Sequence, residues 1–158
     1  MKASFPLAAA FAAILSLSAC GGGGGDAASP AVVNSPAALA KIDTTPGTGL
    51  EATTGARVQV SYIGWLYDAK AADFKGKQFD ASPAGRPFTF VIGATGTSES
   101  AIPGFSQGVQ GMKVSGKRTL QIPSSLAYGA SGYAPLIPPN TGLVFEVTLV
   151  KVCGANAC

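Results

Sequence analysis

Asp80 is the residue of this 158-residue chain best placed for chemistry. It follows Phe79 in an apolar segment, and Tyr62 stands in an earlier run of alternating residues. A carboxylate held among aromatic rings needs a partner, which a tyrosine hydroxyl or Arg86 could supply. The plainer reading is a turn aspartate that caps backbone amides. No second acid stands at helical spacing to it, so a carboxylate pair for glycoside hydrolysis is unsupported. The chain has no histidine. That excludes Ser-His-Asp and Cys-His catalysis, histidine zinc motifs and a histidine pH switch. Eight scattered acids and three cysteines form no metal-ligand pattern. No glycine run matches a phosphate loop or a dinucleotide fingerprint. Neither a metal nor a cofactor is therefore expected. A net charge of +3 with no basic run gives no reason to expect a nucleic-acid partner.

The other conspicuous residues are apolar and aromatic. Phe88, Phe90 and Phe145, taken singly, read as core. Tyr128, Tyr133, Leu136 and Ile137 are different, because they fall in SLAYGASGYAPLIPPN, a stretch of Gly, Pro and small residues. Loop tips are normally polar, so large apolar side chains there point to the wall of a binding pocket.

The elements that must position these residues are mostly strands. Val58, Val60 and Tyr62 alternate with Arg57, Gln59 and Ser61. Phe88, Phe90 and Ile92 repeat the pattern, as do Leu120 and Ile122, and Leu143 to Leu149. A period of two marks half-buried strands. Turn signals separate them at Pro46-Gly47, Pro83-Ala84-Gly85, Ser115-Gly116 and Asn140-Thr141-Gly142. One segment departs from this. Pro103 suits the first position of a helix, and Phe105, Val109 and Met112 then recur at helical spacing. Three glycines make it a poor helix alone, so it needs a sheet to lie on. The reading is an α+β domain of five to six antiparallel strands around one short helix.

The first 40 residues are of another kind. Met1 and Lys2 precede an apolar, alanine-rich stretch too short to span a membrane, which reads as a signal peptide over 1–19. Its end, Leu17-Ser18-Ala19-Cys20, resembles a bacterial lipobox, the alternative being an ordinary cleavage site beside a chance cysteine. Acylation of Cys20 would anchor the chain, since each buried CH2 contributes about 0.8 kcal/mol. By resemblance to Gram-negative lipoproteins, Gly21 in place of Asp suggests sorting to the outer membrane, with its periplasmic face expected and the cell surface as the alternative. Residues 20–40 read as a flexible Gly, Ala, Ser and Pro linker. The folded domain is expected over 41–152. Cys153 and Cys158 bound a short tail over 153–158 that can close into a disulfide in an exported protein; two free thiols are the alternative.

The run AYGASGYAPLIPPNTGLVFEVTL, from Ala127 to Leu149, resembles the signature of the FKBP family of peptidyl-prolyl isomerases. VSYIGWL at 60–66, KQFDAS at 77–82, RPFTFVIG at 86–93 and AIPGFSQGVQGMKVSGKR at 101–118 follow the order of that family. The resemblance implies a curved sheet wrapped over a helix, with an apolar active site between them. It implies that Tyr62, Phe79, Asp80 and Phe88 line one side of the pocket. Ala101 and Ile102 would form the rim, Phe105 the floor and Tyr128 a hydroxyl donor. Tyr133, Leu136, Ile137 and Phe145 would complete the walls, and Asp80, Tyr128, Phe145 and Tyr62 would be the catalytic set. The implied partners are proline-containing polypeptides and macrolides such as tacrolimus or rapamycin.

This chain departs from the family pattern in places. The floor is usually Trp and here is Phe105, which deepens the pocket and removes an indole donor. The connection from Tyr67 to Gly76 is longer than in minimal members and is expected to bulge near the pocket and touch substrate. The stretch Ala94 to Ser100 is also longer and is expected to be mobile. No dimerisation helix is visible before the domain, so a monomer is expected. Two readings compete with an isomerase acting on exported proteins. One is a chaperone or adaptor that grips proline segments with little activity. The other is a surface lipoprotein acting on host molecules.

Overall fold

A computed structural model describes residues 34–153 and Cys158. The signal peptide expected over 1–19, the acylated Cys20 and the first part of the linker lie outside the described residues. Six strands and one helix follow in the order β1 (Ala40–Thr45), β2 (Arg57–Tyr67), β3 (Lys75–Ala81), β4 (Phe88–Val91), α1 (Pro103–Val109), β5 (Lys117–Ile122) and β6 (Leu143–Cys153). The sheet order is β1-β5-β6-β2-β3, with β4 also paired to β2, and every pairing is antiparallel. This is the architecture expected from the alternating pattern. Among the described residues no helix is long and apolar enough to cross a membrane.

The period-two reading holds where it was strongest. Val58, Val60, Phe90, Leu120, Ile122, Leu143, Val147 and Leu149 are all buried. They form the inner face of the sheet, and Phe105, Val109 and Met112 pack against them. The helix lies hard against β5. A Cβ on Gly104 would strike the Ile122 side chain, and one on Gly108 would strike Leu120. The glycines that weaken the helix in isolation are what bring its backbone onto the sheet. The helix is shorter than its apolar spacing implies, ending at Val109, and Met112 enters the core from the turn beyond.

Arg118 closes that end. It faces inward from β5 beside Leu120 and Ile122 and is buried. Its guanidinium donates to the Gly108 and Gln110 carbonyls at 2.8 and 3.1 Å. It also donates to both oxygens of Asp43 on β1, at 2.7 and 3.1 Å. One cation thus satisfies carbonyls left free at the helix end and joins them to the edge strand.

Three other expectations meet a different outcome. The Ala94–Ser100 stretch is held rather than loose: the Val91 N–H donates to the Glu99 carbonyl at 2.9 Å, and Arg57 grips the Glu99 carboxylate with two contacts of 2.7 Å. The insertion after Tyr67 curls into its own turns, closed by the Asp68 N–H on the Phe74 carbonyl, and Phe74 stacks on Tyr67 at 5.3 Å. The folded domain also takes in residues before 41, since β1 starts at Ala40 and Asn34 and Ser35 already bond to it.

On the outer face of the sheet, Lys75 lies 4.9 Å from the centroid of the Trp65 ring and pairs with Glu146 at 2.6 Å. Cys153 and Cys158 are joined by a disulfide.

Candidate active site

A cavity of about 200 Å³ opens between the sheet and the start of α1. Its lining brings together Tyr62 from β2, Phe79 and Asp80 from β3, Phe88 from β4, Ala101, Ile102 and Phe105 at the helix start, Tyr128 from the loop after β5, and Phe145 from β6. Ser100 joins them. The sequence reading missed it, although it directly precedes the rim residues.

Phe105 is the buried floor. Its ring meets Phe145 at 5.0 Å, Tyr62 at 5.6 Å and Phe88 at 6.4 Å, each edge to face. Phe79 meets Phe145 at 5.7 Å in the same manner. Edge-to-face packing matches positive ring edges to negative faces and fixes each ring in one orientation. The result is an aromatic box, open at one end.

Phe79 and Asp80 are consecutive, so a regular strand would send them to opposite faces. Both line the cavity because the pairing of β2 with β3 slips between Gly64–Asp80 and Trp65–Gln78, leaving Phe79 as an extra residue. A bulge re-aims side chains in this way. Gly64 lies beneath it. A Cβ there would sit 2.8 Å from a Phe145 ring carbon and 3.0 Å from one of Phe79.

The polar geometry converges on Asp80. The Tyr62 hydroxyl donates to Asp80 Oδ2 at 2.6 Å, and the Ala81 N–H donates to Oδ1 at 2.8 Å. Both readings of Asp80 are therefore realised, one on each oxygen. Arg86, the other partner considered, makes no ion pair with it among the described residues; its N–H closes the exposed turn onto the Pro83 carbonyl. Burial, followed by the Asp80 hydrogen bond, holds the Tyr62 phenol well above its ordinary value of 10.0. Burial also raises the Tyr128 phenol, with smaller contributions from Tyr133 and Asp80. Both hydroxyls are thus protonated donors across the ordinary pH range.

Three expected wall residues fall elsewhere. Tyr133 and Ile137 exchange backbone hydrogen bonds of 2.8 Å, and this tight turn rotates Ile137 into the core, where it is 3% exposed. Leu136 points out of the same turn and is 45% exposed. Tyr133 is 56% exposed, with its ring centroid 5.4 Å from that of Tyr128. Ile137 is a core residue, while Tyr133 and Leu136 are exposed apolar groups beyond the cavity lining. The insertion at 68–74 contributes nothing to the lining either. No group of three or more His, Cys, Asp or Glu residues gathers among the described residues.

A curved sheet closed over one short helix, with an aromatic cavity and hydrogen-bonding groups at its mouth, defines a small domain built to enclose an apolar ring. The chain belongs to the family of FKBP-type peptidyl-prolyl cis-trans isomerases, whose sequence model matches residues 49–150. It is 45% identical over 120 residues to FK506-binding protein 4 of Dictyostelium discoideum, covering 76% of this chain but 30% of that protein. It is 41% identical over 111 residues to the FK506-binding protein of Neisseria meningitidis, covering 70% of this chain and 92% of that one. The chain thus spans less than a third of the first relative and nearly all of the second. Among solved structures, a peptidyl-prolyl cis-trans isomerase of Pseudomonas syringae matches with a TM-score of 0.60 and 37% identity, covering 80% of this chain and 84% of that one. FkpA of Escherichia coli matches equally well, over 74% of this chain and 49% of its own.

Proposed function

We propose that the protein catalyses cis-trans isomerisation of X–Pro peptide bonds in exported polypeptides. The observation that carries this reading is the aromatic box. Phe105 forms its floor, Tyr62, Phe88 and Phe145 its walls, and Tyr62 is tied to Asp80. Its volume and lining suit a proline ring.

The chemistry asks for little else. An X–Pro bond rotates over a barrier of about 18–20 kcal/mol, because the planar amide must give up its resonance. Uncatalysed, that takes tens to hundreds of seconds. The twisted amide has lost much of its carbonyl dipole, so a water-poor box favours it over the planar form. The proline ring sits on Phe105. The Ile102 N–H and the Tyr128 hydroxyl hold backbone carbonyls on either side. Asp80 fixes the Tyr62 ring as a wall and keeps its proton on the hydroxyl. Catalysis is then differential binding of the transition state, with no covalent step.

The same box accepts a macrolide such as tacrolimus or rapamycin. Cys20 carries the lipid, and the chain is held at the periplasmic side of the outer membrane as a monomer. The test is isomerisation of an X–Pro peptide series by the purified protein, with and without tacrolimus. Acceleration blocked by the drug supports the reading. No acceleration by folded protein favours a proline-segment binding module, a role to which the exposed Tyr133 and Leu136 would suit it. The intact mass of membrane-extracted protein tests the anchor, and an unmodified Cys20 would remove it.

A further inference from the structure

Asn34, Ser35 and Pro36 precede β1 and lie outside the residues matched by the family model. Their composition reads as linker, yet all three are partly buried. The Gly142 N–H donates to the Asn34 carbonyl at 2.8 Å, and the Ser124 N–H donates to Ser35 Oγ at 2.9 Å. Ser124 and Gly142 are the two ends of the loop that carries Tyr128. A three-residue segment therefore bonds both ends of that loop at once. Gly142 makes room for it, because a Cβ there would strike Pro36 and lie 2.8 Å from the Ser35 Cα. Three residues further on, Leu39 packs against the core and leads into β1, which anchors the other end of the segment. From the opposite side, the Tyr67 N–H donates to the Gly142 carbonyl at 2.8 Å and fixes the loop base to β2.

We propose that residues 34–36 form a positioning strap that holds the base of the 124–142 loop closed and thereby fixes the Tyr128 hydroxyl at the cavity. This inference rests on the isomerase reading above. Without the strap, the Ser124 and Gly142 N–H groups lose their partners. A buried donor cannot stay unpaired, so the base must open to water. Tyr128 then loses its fixed place, and small misplacements of a substrate-holding group cost rate steeply. The strap acts through Tyr128 alone. The Phe105 floor and the Tyr62–Asp80 pair stand on α1, β2 and β3, to which the strap makes no hydrogen bond among the described residues.

The test uses the full chain with Ser35→Ala, Ser35→Thr and Gly142→Ala, each alone and combined with Tyr128→Phe. Ser35→Ala removes the acceptor, Gly142→Ala displaces the strap sterically, and Ser35→Thr keeps the hydroxyl. Ser35→Ala and Gly142→Ala should lower kcat/KM on an X–Pro peptide by about threefold to tenfold, the range set by one lost hydrogen bond. Ser35→Thr should restore the rate, and neither loss should add to that of Tyr128→Phe. Additive losses, or no rescue by Ser35→Thr, would overturn the proposal.

Amide exchange without substrate reads the same device independently of activity. Ser35→Ala should speed exchange at Ser124, Asn140 and Gly142 by about tenfold or more, with Tyr67 at the end of β2 following through its bond to Gly142, and leave the rest of β2 and β6 unchanged. Unchanged exchange in the loop, or faster exchange throughout, would overturn the strap. If the wild-type protein does not turn over the peptide, the isomerase reading alone fails, and the exchange result decides the strap.

Discussion

The Tyr62 hydroxyl and the Asp80 carboxylate meet at 2.6 Å from neighbouring strands, across a pairing interrupted by the bulge at Phe79. A hydrogen bond to a charged group is among the stronger ones a protein makes, at about 1.5–3 kcal/mol. Asp80→Ala should therefore lower isomerase activity by about tenfold or more. Asp80 is exposed, so the fold should survive. Tyr62→Phe should cost about as much, and the double variant little more than the worse single one. Wild-type rates in folded Asp80→Ala protein would refute the site.

Activity should also persist into alkali. The Tyr62 phenol is held above its ordinary value of 10.0 by burial and then by Asp80. Because the neutral form is the one favoured in the folded protein, no loss of rate should appear as pH rises from about 7 to 10. A pH profile falling with a midpoint below 10 would show that the phenol is not so held.

Gly64→Ala tests the packing beneath the box. The added methyl meets Phe145 at 2.8 Å and Phe79 at 3.0 Å. Overpacking of this kind costs about 1–3 kcal/mol. Thermal unfolding should register that loss, and activity should fall further than stability alone explains, because both rings belong to the cavity wall.

Phe105→Trp asks whether the floor sets macrolide affinity. The ring is already in contact with Phe145, Tyr62 and Phe90, so the extra bulk must extend into the cavity. We expect tighter tacrolimus binding by calorimetry, with peptide isomerisation little changed. Unchanged drug affinity would remove the floor as its determinant.

The Arg118–Asp43 pair should mark the acid limit of the fold. The Arg118 guanidinium holds the Asp43 carboxyl below its ordinary value of 3.8, against a smaller opposing effect of burial. A depressed folded value gives stability that is complete above 3.8 and is lost as pH falls through the lower folded value. The unfolding midpoint should drop on acidification through that window, and Asp43→Asn should flatten part of the drop. Arg118→Met should cost more at every pH, about 1–3 kcal/mol, because it also strands the Gly108 and Gln110 carbonyls.

The sequence revealed what periodicity can carry. Val58, Val60, Leu120, Ile122 and the β6 residues alternate, and they lie where that alternation puts them. Nine expected site residues from six parts of the chain meet in one cavity. What stayed hidden depends on local departures from regular geometry. A period of two cannot place Phe79 and Asp80 on one side, because the bulge that does so leaves no compositional mark. Ile137 fits a pocket wall as well as a core position in the sequence, because an apolar loop residue can turn either way, and the hydrogen bonds with Tyr133 decide it. Alternation puts Arg118 on the inner face with Leu120 and Ile122, but its partners on β1 and at the helix end are distant in sequence and leave no local mark. Residues 34–39 resemble the linker before them in composition, and only the groups left open on the 124–142 loop give them a place.

The lone tryptophan stands apart from all of this chemistry. Trp65 lies on the outer face of β2 beneath the Lys75 ammonium, while the cavity opens on the inner face. Its emission should therefore be indifferent to a peptide or drug in the box and sensitive to the loss of strand pairing. Intrinsic fluorescence becomes a clean gauge of folding in every variant above except Phe105→Trp, which adds a second indole at the cavity floor, so that a silent site and an unfolded chain can be told apart in the same cuvette.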